Sequence, residues 1–291
     1  MLLAEAHAAV GAFSQGERLF TQLRRTSGEN VAAVTNFDPT FHAGLEAEAN
    51  RGTADLPTVL DSRAVDRSND LIVFAAADFH YFQRFGRRFV ESFVRSGGGS
   101  ARLALHIFDV TDEERVGIIR WLGEHGELRW SLSSEWTGLR GGDEAAAKGY
   151  YHAARYVRFW QFLTVHQAAA WIVDLDMTFN APTQGLSDAL YCQDMALFLS
   201  PARFEVRNKI MACCAGFSNT REAHDYLRNV AGYICHYQRE GRLLWGIDQV
   251  ALFAVAAMGP PAVAARIKGV SDRICSPAAR SGQILCPAKV G

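Results

Sequence analysis

Two kinds of hydrophobic pattern alternate along the chain. Short continuous apolar runs, "NDLIVFAAAD" (69–78), "ARLALHIFDV" (101–110) and "AAAWIVDLD" (168–176), predict strands covered on both faces of a sheet. Between them lie longer segments in which apolar residues recur every three or four positions. "YFQRFGRRFVESFVRS" sets Phe82, Phe85, Phe89 and Phe93 at helical intervals, and "TDEERVGIIRWLGEHG" opens with Thr111 and Glu114 in capping-box spacing and stops near Gly126. Residues 149–166, "GYYHAARYVRFWQFLTVH", predict a helix rich in aromatics, and "LLWGIDQVALFAV" predicts an apolar one. Strands alternating with helices predict an α/β fold on a doubly wound, mostly parallel sheet, in which ligands sit beyond the carboxyl ends of the strands.

The N-terminal quarter reads differently. Leu3, Ala6, Val10, Phe13 and Phe20 fall at helical steps, which predicts one amphipathic helix from residue 2 to about 24. Residues 25–68 turn polar, with "RRTSGEN" and "EAEANRGTADLP", and read as a linker that wraps the main domain or ends a helical repeat array. The expected organisation is a helical extension and linker over 1–68 and one domain over 69–291. The triple glycine at 97–99 lies between a helix and a strand, so it reads as a turn. A phosphate-binding fingerprint would follow a strand and open a helix, and no G-x-G-x-x-G or Walker sequence stands in that context.

Composition narrows the class. The 291 residues are 49% hydrophobic, enough for a large core. With 30 Lys+Arg against 31 Asp+Glu there is no global field drawing the chain to nucleic acid or anionic lipid, so an anionic ligand has to be held by local groups. The six cysteines show no C-x-x-C pair and are too sparse for a disulfide scaffold, which points to a reducing, cytoplasmic setting. "MLLAEAHAAVGAFSQGERLF" lacks a basic n-region and reads as a helix rather than a secretion signal. The most apolar segment, "QVALFAVAAMGPPAVAARI", is interrupted by Pro260 and Pro261, so no membrane span and a soluble protein are expected.

The candidate chemistry starts from Asp174 and Asp176, at the end of the strand in "AAAWIVDLD". In an extended segment residues i and i+2 project to one side about 6–7 Å apart, so both carboxylates approach one small object. A hard divalent cation relieves their repulsion, and Mg²⁺ or Mn²⁺ takes one or two protein carboxylates with substrate phosphates completing the shell. Ordinary turn chemistry, with one Asp capping and the other solvated, is the alternative without function. "WIVDLDMT" also fits the hhhhDxDx[TV] pattern of haloacid dehalogenase-like phosphohydrolases, in which the first Asp is a nucleophile, although a full strand–helix–strand–helix block precedes it here.

Beyond the pair, the chain resembles the nucleotide-sugar glycosyltransferases of the GT-A fold, in particular the family 8 type. "VFAAADFHYFQRFGRRFVESFVRS" is similar to that family's opening strand, loop and helix, and "LALHIFDVTDEERVGIIRWL" to its second strand and helix. "YYHAARYVRFWQFL" ahead of "WIVDLDMTF" resembles the helix with a donor-contacting arginine before D-x-D, "CCAGFSNT" the N-A-G strand, and "WGIDQVAL" the D-Q helix. The resemblance covers about residues 70–255. It implies a GT-A domain, a Mn²⁺ or Mg²⁺ cofactor and a nucleotide-sugar donor, with uridine as its base. It also implies a glycan, protein or small-molecule acceptor. Asp174 and Asp176 would hold the metal, Asp174 also reaching the donor. Arg155, Asp248 and Gln249 would be catalytic. Ala75, Ala76, Asp78, Tyr81, Arg155 and Gly216 would contact substrates, Gly216 on the acceptor side. Two departures stand out. Cys214 replaces the family's Asn, and "SDRICSPAARSGQILCPAKVG" has no counterpart of the C-terminal metal-binding His, so carboxylates, phosphates and water would complete the shell.

Other residues have plainer readings. Arg158 reads as a surface helix charge, Asp78 as a possible turn residue and Trp245 as a core residue. His80, His106, His152 and His166 show no metal-ligand spacing. A degenerate transferase fold serving as an interaction module is the non-enzymatic alternative, supported by Cys214 and the missing His.

Overall fold

In the computed structural model, the residues described are 8, 11–26, 31–54, 60–61, 71–97, 101–180, 182–191, 193–200, 205–270 and 285–287. The beginning of the expected N-terminal helix, the linker residues 27–30, 55–59 and 62–68, Gly98 and Gly99, and most of the tail after 270 lie outside them.

The core is an eight-stranded mixed sheet. Its strands are β1 (Leu60–Asp61), β2 (Leu71–Asp78), β3 (Ala101–Phe108), β4 (Trp130–Glu135), β5 (Ala170–Val173), β7 (Met195–Leu199), β8 (Ile210–Phe217) and β9 (Ile267–Gly269), in the order β1-β4-β3-β2-β5-β8-β7-β9. The three apolar runs β3, β2 and β5 are parallel neighbours as expected, β4, which no apolar run announces, adds to β3 in parallel, and β8 joins β5 antiparallel. A separate ribbon pairs β6 (Met177–Phe179) with β10 (Leu285–Pro287). Side chains of β2 alternate between two cores: Ile72 and Phe74 point into one, and Leu71, Val73, Ala75 and Ala77 into the other.

Helices cover both faces. α4 (Phe79–Arg95) and α5 (Asp112–Gly123) pack on one side, and α6 (Glu144–His166), α8 (Arg221–Arg239) and α9 (Ile247–Met258) on the other, while the short α7 (Gln184–Leu190) joins the first group. The capping box that opens α5 is present in full, with Glu114 N donating to Thr111 Oγ1 and Thr111 N to Glu114. α6 starts at Asp143, whose carboxylate accepts from Ala145 N and Ala146 N. It stops at Gln167, which adopts a left-handed conformation.

Two expectations for the N-terminal region need correction. The helix α1 spans Phe13–Thr26 and is preceded by Gly11 at φ 79, so the periodicity from Leu3 does not continue as one helix. The polar stretch is not a plain linker. It contains a 3₁₀ turn (Val31–Val34), α2 (Pro39–Ala43) and α3 (Leu45–Ala54), and Phe20, Val34, Phe37 and Leu45 share one core with α6, α8 and α9. Close approach makes this possible. A Cβ on Gly232 of α8 would lie 2.0 Å from the Leu45 carbonyl oxygen, and one on Gly52 of α3 would lie 2.2 Å from the Cys235 Cβ. Arg228 pairs with Glu46, and Arg239 with Glu48, across the same seam. No helix among the described residues is long and apolar enough to cross a membrane.

Candidate functional site

Carboxylates end four neighbouring parallel strands: Asp78 as the last residue of β2, Asp109 just past β3, Glu135 as the last residue of β4 and Asp174 just past β5. Each has a different partner. Asp78 caps α4, accepting from Tyr81 N at 2.9 Å, so part of its role is the local one.

Asp174 continues the strand pairing by one residue, its N–H donating to the Cys213 carbonyl at 2.8 Å. The chain then turns, with Met177 N donating to Asp174 O at 3.1 Å and Leu175 buried beneath. The D-x-D element is therefore a tight turn rather than an extended segment. The two carboxylates still influence each other: burial and the neighbouring Asp174 charge raise the Asp176 carboxyl above its ordinary range, against a hydrogen bond from the Tyr81 hydroxyl. Burial and Asp176 in turn hold Tyr81 in its protonated, donating form.

Arg155, in the middle of α6 and only 6% exposed, joins the parts. Its Nη1 pairs with Asp174, its Nη2 donates to Asp248 Oδ2 at 2.7 Å and to the Ala212 carbonyl at 3.2 Å, and its Nε donates to the His152 carbonyl at 3.2 Å. Burial works against the guanidinium charge, but Asp174 and Asp248 hold it well above the ordinary value. Asp248 is 1% exposed in the first turn of α9, where a helix N-terminus favours a negative charge. Its buried partner is thus identified. The side-chain Oε1 of Gln249 is buried with no hydrogen-bond partner among the described residues.

Arg158 is not a surface charge. It is 5% exposed and pairs with Glu135, which also accepts from the Tyr150 hydroxyl at 3.2 Å. Asp109, absent from the sequence candidates, sits at φ 53 and accepts from Thr137 N and Thr137 Oγ1 at 2.5 Å, from Tyr151 Oη at 2.6 Å and from Gly138 N at 3.0 Å. Burial pushes its carboxyl up, but these donors hold it below the ordinary value. Its signal was "FDVTD" after the second strand, matching Asp78 after the first. Glu135 and Asp109 anchor the segment leading into α6, and so fix the helix that carries Arg155.

The remaining candidates are scattered around this centre. Ala75 is buried in β2 opposite Leu105, and Ala76, opposite His106, is partly buried near the strand end. Gly216 is not an open approach point for ligand on its Cβ side. It lies inside β8 opposite Trp171, and a Cβ there would come within 2.6 Å of the indole ring. Cys214 is buried in the core. Trp245 is not a core residue: it is 50% exposed on the loop before α9, with Lys148 Nζ 5.5 Å from its ring centroid and the His152 ring 6.5 Å away. His106 is buried beside Ser133 and Glu135, whereas His80 is exposed at the start of α4.

Among the described residues no cluster of three or more His, Cys, Asp or Glu could hold a metal ion. The pair Asp174 and Asp176 suits an ion that takes two carboxylates and draws its other ligands from substrate phosphate and water. Burial first and the Asp174 charge second raise Asp176, and a bound cation would counter both.

No family model matches the chain, and no curated protein matches it. Solved structures do. An active-site variant of LgtC is 12% identical and matches at a TM-score of 0.50 over 76% of this chain and 88% of its own. The bifunctional glycosyltransferase WbbM matches at 0.47 with 12% identity over 73% of this chain, and GlyE of Streptococcus pneumoniae at 0.45 with 16% identity over 71%. The chain spans 40% of the WbbM chain and 46% of the GlyE chain. The fold assignment rests on the LgtC match: the chain has the α/β architecture of GT-A glycosyltransferases, with a mostly parallel sheet flanked by helices. At this identity the likeness is one of fold, and activity has to be argued from the site.

Proposed function

We propose that the protein is a metal-dependent glycosyltransferase that moves a sugar from a nucleotide-diphosphate donor, a UDP-sugar, to a glycan, protein or small-molecule acceptor. The observation that carries this reading is the Asp174–Arg155–Asp248 bridge. Three residues spread over 94 positions meet on one guanidinium at the carboxyl ends of the strands, where α/β sheets bind ligands.

A Mn²⁺ or Mg²⁺ ion held by Asp174, Asp176 and the donor diphosphate would neutralise the charge that develops on the leaving group. The chain's own residues do the rest. Arg155 is held cationic beside the diphosphate and keeps Asp174 and Asp248 in place. Asp248 and Gln249 face the donor sugar, and the unpartnered Gln249 Oε1 accepts a hydrogen bond from a substrate hydroxyl. Asp78, Ala75, Ala76 and Tyr81 line the nucleoside side, with Tyr81 orienting the Asp176 carboxylate. As the donor's anomeric C–O bond breaks, its electrons go to the diphosphate, the acceptor hydroxyl oxygen bonds to that carbon, and the hydroxyl proton passes to the departing diphosphate oxygen.

The phosphohydrolase alternative is not favoured. Asp174 would be its nucleophile, yet that carboxylate is clamped by a buried guanidinium, which lowers its nucleophilicity.

The test is thermal unfolding with UDP, GDP, CDP or ADP, each with and without Mn²⁺, on the wild type and on Asp176→Asn. A ligand at 100 times its dissociation constant stabilises the fold by about 2.7 kcal/mol. A Mn²⁺-dependent shift with UDP that is lost in Asp176→Asn is expected. No shift with any nucleotide sinks the reading.

A further inference from the structure

We infer that Trp245 and His152 form an acceptor subsite that takes a sugar ring, beside the Arg155–Asp248 bridge; this rests on the transferase reading above. An indole held half exposed next to a buried charged centre is a costly surface to leave facing water. Here it is also fixed in place. The Leu243 carbonyl lies so close to α6 that a Cβ on Gly149 would come within 2.7 Å of it. Ile247 N donates to Leu244 O at 3.1 Å, and Gly246 at φ 86 turns the chain from Trp245 into α9.

The neighbours of the ring supply polar recognition. His152 lies on α6, one turn before Arg155, and its ring meets the indole edge-on. No hydrogen bond within the described residues reaches that imidazole, so its two nitrogens remain for a ligand. Lys148 lies against the indole and steadies it by cation–π attraction. A pyranose presents an apolar C–H face to an aromatic plane and hydroxyls around its rim, which matches a rigid indole with a hydrogen-bonding imidazole at its edge.

The experiment is saturation-transfer NMR with lactose and maltose as probes, in UDP and Mn²⁺, on wild type, Trp245→Ala and Trp245→Phe. Thermal shifts with UDP are measured on the same samples, and ligand-free unfolding checks that each variant folds. The wild type should saturate ring protons of at least one disaccharide. Trp245→Ala should weaken binding about tenfold or more, and Trp245→Phe should restore part of it. An equal signal in Trp245→Ala overturns the inference. So does a wild type that shifts with UDP but gives no disaccharide signal, and that result leaves the donor reading standing. A Trp245-dependent signal with no nucleotide shift supports the platform and sinks the donor reading instead.

Discussion

Replacing Arg155 with leucine removes the cation between Asp174 and Asp248 while keeping an apolar stem in the core. The two carboxylates do not suffer equally. Asp174 has a side chain 27% exposed and recovers water, whereas Asp248, 1% exposed, is left as a buried charge without its partner. Removing one member of a buried pair costs about 3–5 kcal/mol. The Ala212 carbonyl also loses a charged donor, a term of about 1.5–3 kcal/mol that overlaps with the first. A total of about 3–5 kcal/mol is therefore expected, a large part of the 5–15 kcal/mol typical of a folded domain. Urea unfolding followed by circular dichroism reads it directly. The double variant Arg155→Leu/Asp248→Leu is the control, because removing both partners leaves no orphaned charge at 248 and should recover part of the loss. If Arg155→Leu lies within about 1 kcal/mol of wild type, or the two substitutions simply add, the buried-bridge reasoning is wrong.

Other expectations follow from the same contacts. Gly232→Ala drives a Cβ against the Leu45 carbonyl, a backbone atom that cannot move cheaply, and should lower stability by about 1–3 kcal/mol. Gly117→Ala, at an exposed position of α5 with nothing within 4 Å, should stabilise by about 0.4–1 kcal/mol, and equal melting temperatures for the two variants would refute the packing of α3 on α8. Acidification should destabilise the fold. His42, His152 and His224 are each held below the ordinary 6.5, in every case first by burial. The unfolded chain thus binds more protons than the native one as pH falls through that value, and stability present above it is lost. A melting temperature that stays flat from about pH 7.5 to about pH 5 would contradict this.

Three of the four neighbouring parallel strands and the helices between them were legible because their signals are local, whereas β4, WSLSSE, carries no apolar run. Leu71–Phe74 and Ala101–Phe108 are runs that a strand buried on both faces requires, and Thr111 with Glu114 announces its own helix start. Asp174, Arg155 and Asp248 each stood out in the sequence. Their meeting on one guanidinium did not, because it depends on where α9 docks, and no spacing encodes that. The N-terminal helices were hidden for a related reason. Residues 31–54 mix small, polar and apolar positions with no long helical period, and they reach the core through Val34, Phe37 and Leu45, through glycine contacts at 52 and 232, and through the Phe41 ring, which meets Tyr233 edge-on at 5.2 Å. Arg158 and Trp245 mislead in opposite directions, since residue type alone reports neither a buried ion pair nor an exposed indole.

The contact between Gly149 and Leu243 reaches beyond packing. It holds the backbone entering α9 against α6, so Arg155 and His152 on one element keep a common frame with Trp245 and Asp248 on the other. Under the acceptor subsite inferred above, a change of sugar preference would then fall on individual side chains at 245, 152 and 148 and leave the seam between the two elements as it is.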